Sequence, residues 1–104
     1  MSVSINLVKA TPTWTFWDEY TWKCQVYNTE NIEWFEDYTN NKKYVRDNEW
    51  SYLEDDFYWK CKPKDFVKVK KYINKHFYWH YKDMHLKAIK EIENNSDVFY
   101  EFWW

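Results

Sequence analysis

The chain runs to 104 residues, about one domain's worth, with a formal net charge of −2 and 31% charged side chains. Those charges recur so often that no apolar stretch is long enough to span a membrane. Glycine is absent. That excludes a dinucleotide fingerprint, a P-loop and a nucleophile elbow, each of which needs a residue without a Cβ at a close approach or a sharp turn.

Residues 2–8 set Val3, Ile5 and Leu7 against Ser2, Ser4 and Asn6, the period-2 pattern of a half-buried strand. Pro12 is expected to end it. Next comes the first of two similar segments. Residues 14–24 read Trp-Thr-Phe-Trp-Asp-Glu-Tyr-Thr-Trp-Lys-Cys, and residues 50–61 read Trp-Ser-Tyr-Leu-Glu-Asp-Asp-Phe-Tyr-Trp-Lys-Cys. With Glu54 as one inserted residue they align, and both cysteines fall at the end of the same tripeptide, as in an internal repeat. Each copy predicts a β-hairpin (14–27 and 50–62) whose second strand carries Trp-Lys-Cys. Alternation puts Tyr20, Trp22, Cys24 and Val26 on one face of the first hairpin. In the second it sends Phe57, Trp59 and Cys61 inward and Tyr58, Lys60 and Lys62 outward.

Between the copies, Thr29 is placed to cap a helix over about 30–39, with Ile32, Phe35 and Tyr38 on one face. Asn40-Asn41 would stop it, and Tyr44-Val45-Arg46 would form a short strand. After Pro63, Asp65 can cap a helix whose apolar face runs Phe66, Val69, Ile73, Phe77, His80, Met84, Ala88 and Ile92. Unbroken to residue 93 it would be ~43 Å long, too long for a domain of this size. A break near Tyr78–Asp83 therefore gives helices over 65–78 and 83–93. Asn94-Asn95 ends the second, and Val98, Tyr100 and Phe102 alternate in a last strand. With no glycine, positive-φ positions fall to Asn and Asp, at Asn40-Asn41 and Asn94-Asn95. The expected fold is α+β: a mostly antiparallel sheet built around the two hairpins, with two to three helices on one face.

A quarter of the residues are aromatic, against three Leu and two Ala, so rings must fill the core. Scarce Gly, Ala, Pro and Arg beside plentiful Lys, Asn and Tyr fit an AT-rich coding sequence of the viral or phage kind. Trp runs against that bias, which suggests that its nine copies are kept for physical reasons.

If the two repeat strands pair, Cys24 and Cys61 lie close together, as reduced packed thiols, as a disulfide, or as zinc ligands with His76 and His80, which stand four apart on the expected helix. The cysteines form no CxxC knuckle, so no cofactor is expected beyond that zinc alternative. Lys64, Lys68, Lys71 and Lys75 form a basic stripe, and residues 57–90 hold ten Lys against two Asp. The stripe is either a solvated helix face or, with stacking rings, a single-stranded nucleic-acid site. Glu36-Asp37 and Asp55-Asp56 are adjacent carboxylates that face water more often than they catalyse. No triad is assembled, and no enzyme is expected. Nine tryptophans exceed what a core this small can hold. Trp34, Trp79, Phe102, Trp103 and Trp104 are therefore the candidate partner contacts.

The residues resemble no family by motif. The function expected is a small non-enzymatic protein-binding module, an inhibitor of a host factor if the origin is viral; the alternative is the nucleic-acid binder. Self-association between oppositely charged halves is a third arrangement. The N-terminal residues show neither a basic leader nor an apolar stretch, so the expected location is intracellular, in the cytoplasm, of a host cell if viral.

Overall fold

The computed structural model describes residues 3–17, 19, 22–36, 38–53 and 59–103. The chain forms β1 (Ser4–Trp17), β2 (Lys23–Phe35), α1 (Tyr38–Asp47), β3 (Trp50–Tyr52), β4 (Lys60–Pro63), α2 (Phe66–His76), α3 (Trp79–Asn94) and β5 (Val98–Trp103). The strands make one antiparallel sheet in the order β2-β1-β5-β4-β3. Both expected hairpins are present, since Trp14 pairs with Val26 and Tyr52 with Cys61. The fold is α+β.

Period-2 alternation in β1 and β5 sends Val3, Ile5, Leu7, Val98, Tyr100 and Phe102 to one face. There they meet Tyr44 and Val45 of α1, Val69 and Ile73 of α2, and Ala88, Ile89 and Ile92 of α3. The three helices thus cover one side of the sheet. Tyr44 sits at the centre of this core, edge-on to Trp50 at 5.3 Å and to Phe77 at 5.3 Å between ring centroids. Such pairs add about 0.5–1.5 kcal/mol beyond their buried area. Rings fill the space that aliphatic side chains usually take.

Six local expectations are corrected. Pro12 does not end β1, because β5 pairs only with Ser4–Lys9 and a register shift falls between Pro12 and Trp14; its missing N–H therefore costs the sheet nothing. No helix covers 30–39. Twelve of the thirteen residues of β2 pair along β1, and that ladder outweighs the local cap at Thr29. Asn40 and Asn41 lie inside α1, as do Tyr44-Val45-Arg46. The break in the long helical segment comes at Phe77 and Tyr78, both extended, and Asp83 lies inside α3 rather than capping it. Phe77 sets the break, its buried ring packing on His85 at 4.3 Å. Finally, the positive-φ residues described are Trp59 (61°) and Trp79 (49°), not Asn or Asp.

Asn41 shows why α1 starts where it does. Its buried Nδ2 donates to Val3 O at 3.1 Å and to Phe35 O at 2.9 Å, tying the helix to β1 and to the end of β2. Asn41→Ala strands two buried carbonyls and is expected to cost about 2–3 kcal/mol, read as a lower urea midpoint at unchanged m-value.

The second sheet face is covered as well. Val8, Ala10 and Phe99 form a smaller cluster there, joined by Tyr27 of β2 and by Leu53. Beside it, Lys60 Nζ lies 3.2 Å from Glu101 Oε2, with the lysine side chain only 2% exposed. Lys60 was expected to face outward. Its parity is as expected, opposite to Cys61, but the face it occupies is buried.

Candidate binding surface

Beyond Lys9 the first hairpin continues without β5 beside it, as an arm of two strands. The arm is held by its own ladder, with side chains reinforcing it. Thr13 Oγ1 donates to Val26 O at 2.9 Å, and Gln25 Nε2 donates to Trp14 O at 3.1 Å and to Val26 O at 3.0 Å. These bonds cross the register shift and keep the two strands together where the ladder is interrupted.

Along this arm Trp14, Phe16, Trp17 and Trp22 are all exposed, Trp17 by 70%. Trp14 and Phe16 share a face, their ring centroids 5.5 Å apart, while the neighbouring Trp17 takes the other face by strand alternation. An arm with rings on both sides cannot bury both against its own sheet. Large apolar area therefore remains in water, where ~25 cal/mol per Å² favours covering it. The outer edge of β2 pairs with no described strand, and the exposed charges of Glu30 and Glu33 there discourage unselective strand addition.

The residues expected to make partner contacts are scattered. Trp34 and Trp103 are half-exposed on the second sheet face, where the Trp103 indole Nε1–H donates to Glu101 Oε1 at 3.0 Å. Trp79 lies in the helix layer, at the start of α3. Phe102 is removed from the surface altogether, buried in the core 4.9 Å from Trp50. Trp104 lies outside the described residues. Trp22 and Trp59, expected to face inward, are both 62% exposed. Both precede their strands in irregular backbone, where alternation no longer dictates direction.

The zinc reading loses its geometric basis. Cys24 is on β2 and Cys61 on β4, with β1 and β5 between them in the sheet, so the repeat strands are not neighbours. Both cysteines are buried, and burial pushes the Cys61 thiol well above its usual range. His76 ends α2 and His80 lies in α3. The extended residues between them destroy the shared helical face. Among the described residues no three His, Cys, Asp or Glu are grouped to hold a metal ion. Lys64, Lys68, Lys71 and Lys75 are exposed on or just before α2, opposite its buried Val69 and Ile73. Asp55-Asp56 and Asp37 fall outside the described residues, and Glu36 is exposed.

One constellation escaped the sequence reading. His85 Nδ1 lies 3.2 Å from the Tyr100 hydroxyl, which lies 3.1 Å from the Tyr44 hydroxyl, all fully buried. Phe35 stacks on the imidazole at 4.3 Å. Among the described residues no side-chain hydrogen bond carries this network to the surface, and it is part of the core. Among the described residues no helix is long and apolar enough to cross a membrane. No family model matches the chain, and no curated protein and no solved structure shows significant similarity to it.

Proposed function

We propose that this chain is a non-enzymatic module that binds another protein through the aromatic arm of its first hairpin. The observation that carries this is the cluster of Trp14, Phe16, Trp17 and Trp22, exposed on both faces of a two-stranded arm. Tryptophan dominates interface hot spots because one rigid side chain covers much area at little conformational cost. Glu19 is exposed at the end of the arm, and Lys23 lies opposite Trp17. Glu30 and Glu33 lie at and below the base, opposite Lys9 and Leu7, so the arm gathers no positive charge that would draw a polyanionic partner. A compact inhibitor of a host factor is one form of this activity, supported by the AT-rich composition.

The test uses wild type and Trp14→Ser/Trp17→Ser as baits in extract of the source cell, with the captured protein then purified and titrated against both. Because both rings are exposed, the variant is expected to fold with its stability within about 0.5 kcal/mol of wild type. Its dissociation constant is expected to rise about 30-fold or more, the scale of a hot-spot loss. Equal affinity for the two proteins would remove the arm as the contact.

A further inference from the structure

Four lysines besides the stripe have defined partners or packing. Lys9 pairs with Asp97, Lys60 with Glu101 and Lys70 with Glu93; Lys62 reaches the carbonyls of Ile92 and Asn95, and its ammonium also lies over the Phe99 ring. Lys23 lies on the arm, opposite Trp17. Among the described residues Lys64, Lys68, Lys71 and Lys75 make no ion pair, and neither do Lys42, Lys43, Lys82, Lys87 and Lys90; the stripe is set apart by its alignment along one side of a helix. On α2, Lys68, Lys71 and Lys75 fall within an arc of about 60° at 100° per residue. Glu49 and Asp65 border Lys68, and Asp47 accepts from Tyr72 at 3.2 Å on the neighbouring side of α2, so Lys71 and Lys75 are the members of the row with no carboxylate shown against them.

Two exposed rings follow that end of α2 in the chain. Tyr78 is 71% exposed and Trp79 89% exposed, the largest value of any described large apolar side chain. Trp79 also holds φ at 49°, a left-handed conformation that is unfavourable for a residue with a Cβ. Among the described residues Trp79 makes no ring contact. Its indole contributes almost nothing to the core, so packing does not explain why a ring stands here.

We infer that this face of α2, with Tyr78 and Trp79 at its end, binds single-stranded nucleic acid. Lysine ammoniums in a row follow a phosphate backbone, and flat exposed rings stack on unpaired bases whatever their sequence. The sole Arg of the chain, Arg46, is engaged with Asp47 at 3.1 Å. The bidentate reader of base edges is therefore missing from this face, and binding is expected to be tolerant of sequence. Duplexes bind more weakly, because their bases are already stacked. This surface belongs to the helix layer and is independent of the hairpin arm.

Fluorescence anisotropy with a labelled oligothymidine of about a dozen nucleotides tests the inference, with a duplex of the same length and a polyglutamate peptide as competitors. For four phosphate contacts, affinity is expected to fall roughly 50-fold between 50 and 200 mM salt. Trp79→Ala is expected to weaken binding about 5- to 150-fold, the range for one lost stacking contact. Lys71→Glu/Lys75→Glu is expected to weaken it and flatten its salt dependence, while Trp14→Ser/Trp17→Ser binds like wild type. Absence of binding at 50 mM salt overturns the inference. So does unchanged affinity in Trp79→Ala, and so does competition by polyglutamate as strong as by unlabelled oligothymidine, which would mark the face as a site for acidic peptides.

Discussion

Lys60→Met is expected to cost about 3–5 kcal/mol of folding stability, the usual result of removing one partner from a buried ion pair. The Lys60 and Glu101 side chains are only 2% and 7% exposed at a separation of 3.2 Å. The Tyr27 ring lies over the ammonium at 5.2 Å, and the second carboxylate oxygen accepts the Trp103 indole. Without the ammonium, the Glu101 carboxylate is left without its ion-pair partner in a place water reaches poorly. Glu101→Gln is expected to destabilise in the same direction, by stranding the lysine. The double variant Lys60→Met/Glu101→Leu removes both charges and is expected to recover most of the loss. Urea midpoints of the four proteins measure the cycle. A cost below about 1 kcal/mol for Lys60→Met would mean that water already solvates the pair. The pair's place in the sheet suggests why it is kept. β4 pairs with β5 only at Lys60–Glu101 and Cys61–Tyr100, so little else fixes the register. A slip of one residue would turn Lys60 into the ring-packed core.

The elements that could be read from the sequence are those whose pattern is local. Val3, Ile5 and Leu7 reach the core as their alternation implies, and so do Val98, Tyr100 and Phe102. Asp65 caps α2 through the Lys68 amide at 3.1 Å. Where the reading failed, a long-range contact had overruled a local preference. Asn40-Asn41 looks like a helix stop, yet Asn41 is needed inside α1 because its amide bridges two strands. In each copy Lys-Cys opens the second strand of the hairpin, while Trp22 and Trp59, expected in those strands, stand just before them. The similarity is confined to each hairpin, however, and carries no information about strand order. The arm was half legible. Trp14, Phe16 and Trp17 break alternation by placing rings on both faces, a pattern no half-buried strand needs. That was the available sign of an arm without a core on either side. Burial of Phe102 follows from parity with Tyr100, a signal outweighed by its closeness to the aromatic C-terminal pair.

Acid is expected to destabilise the fold through His85, with a sign fixed by its surroundings. Burial lowers its pKa from 6.5 to about 3. The groups facing it are the rings of Phe35, Phe77, Tyr44 and Tyr100, none of which carries a charge at neutral pH. Its Nδ1 meets the Tyr100 hydroxyl, while Nε2 is buried with no partner. If Tyr44 donates to Tyr100 and Tyr100 donates to Nδ1, the neutral ring carries its proton on Nε2. A second proton on Nδ1 would break that chain and place a cation among rings. The unfolded chain takes up this proton below about 6.5, and the folded chain resists it until about 3. Stability from the neutral ring is thus complete above pH 6.5 and is lost as pH falls, at about 1.4 kcal/mol per unit. By pH 4.5 the loss is expected to be about 3 kcal/mol. His85→Phe keeps a ring between Phe35 and Phe77 and has nothing to titrate. It is expected to start about 1 kcal/mol less stable at pH 7, from the lost hydrogen bond, and then to change less with acid than wild type. Urea melts of both proteins at half-unit steps from pH 7 to 4 give the difference curve, which cancels the carboxylates they share. A flat difference between pH 6.5 and 4.5 would show that His85 binds its proton as readily in the folded protein as in the unfolded one, and that the core around Tyr44 and Tyr100 admits water.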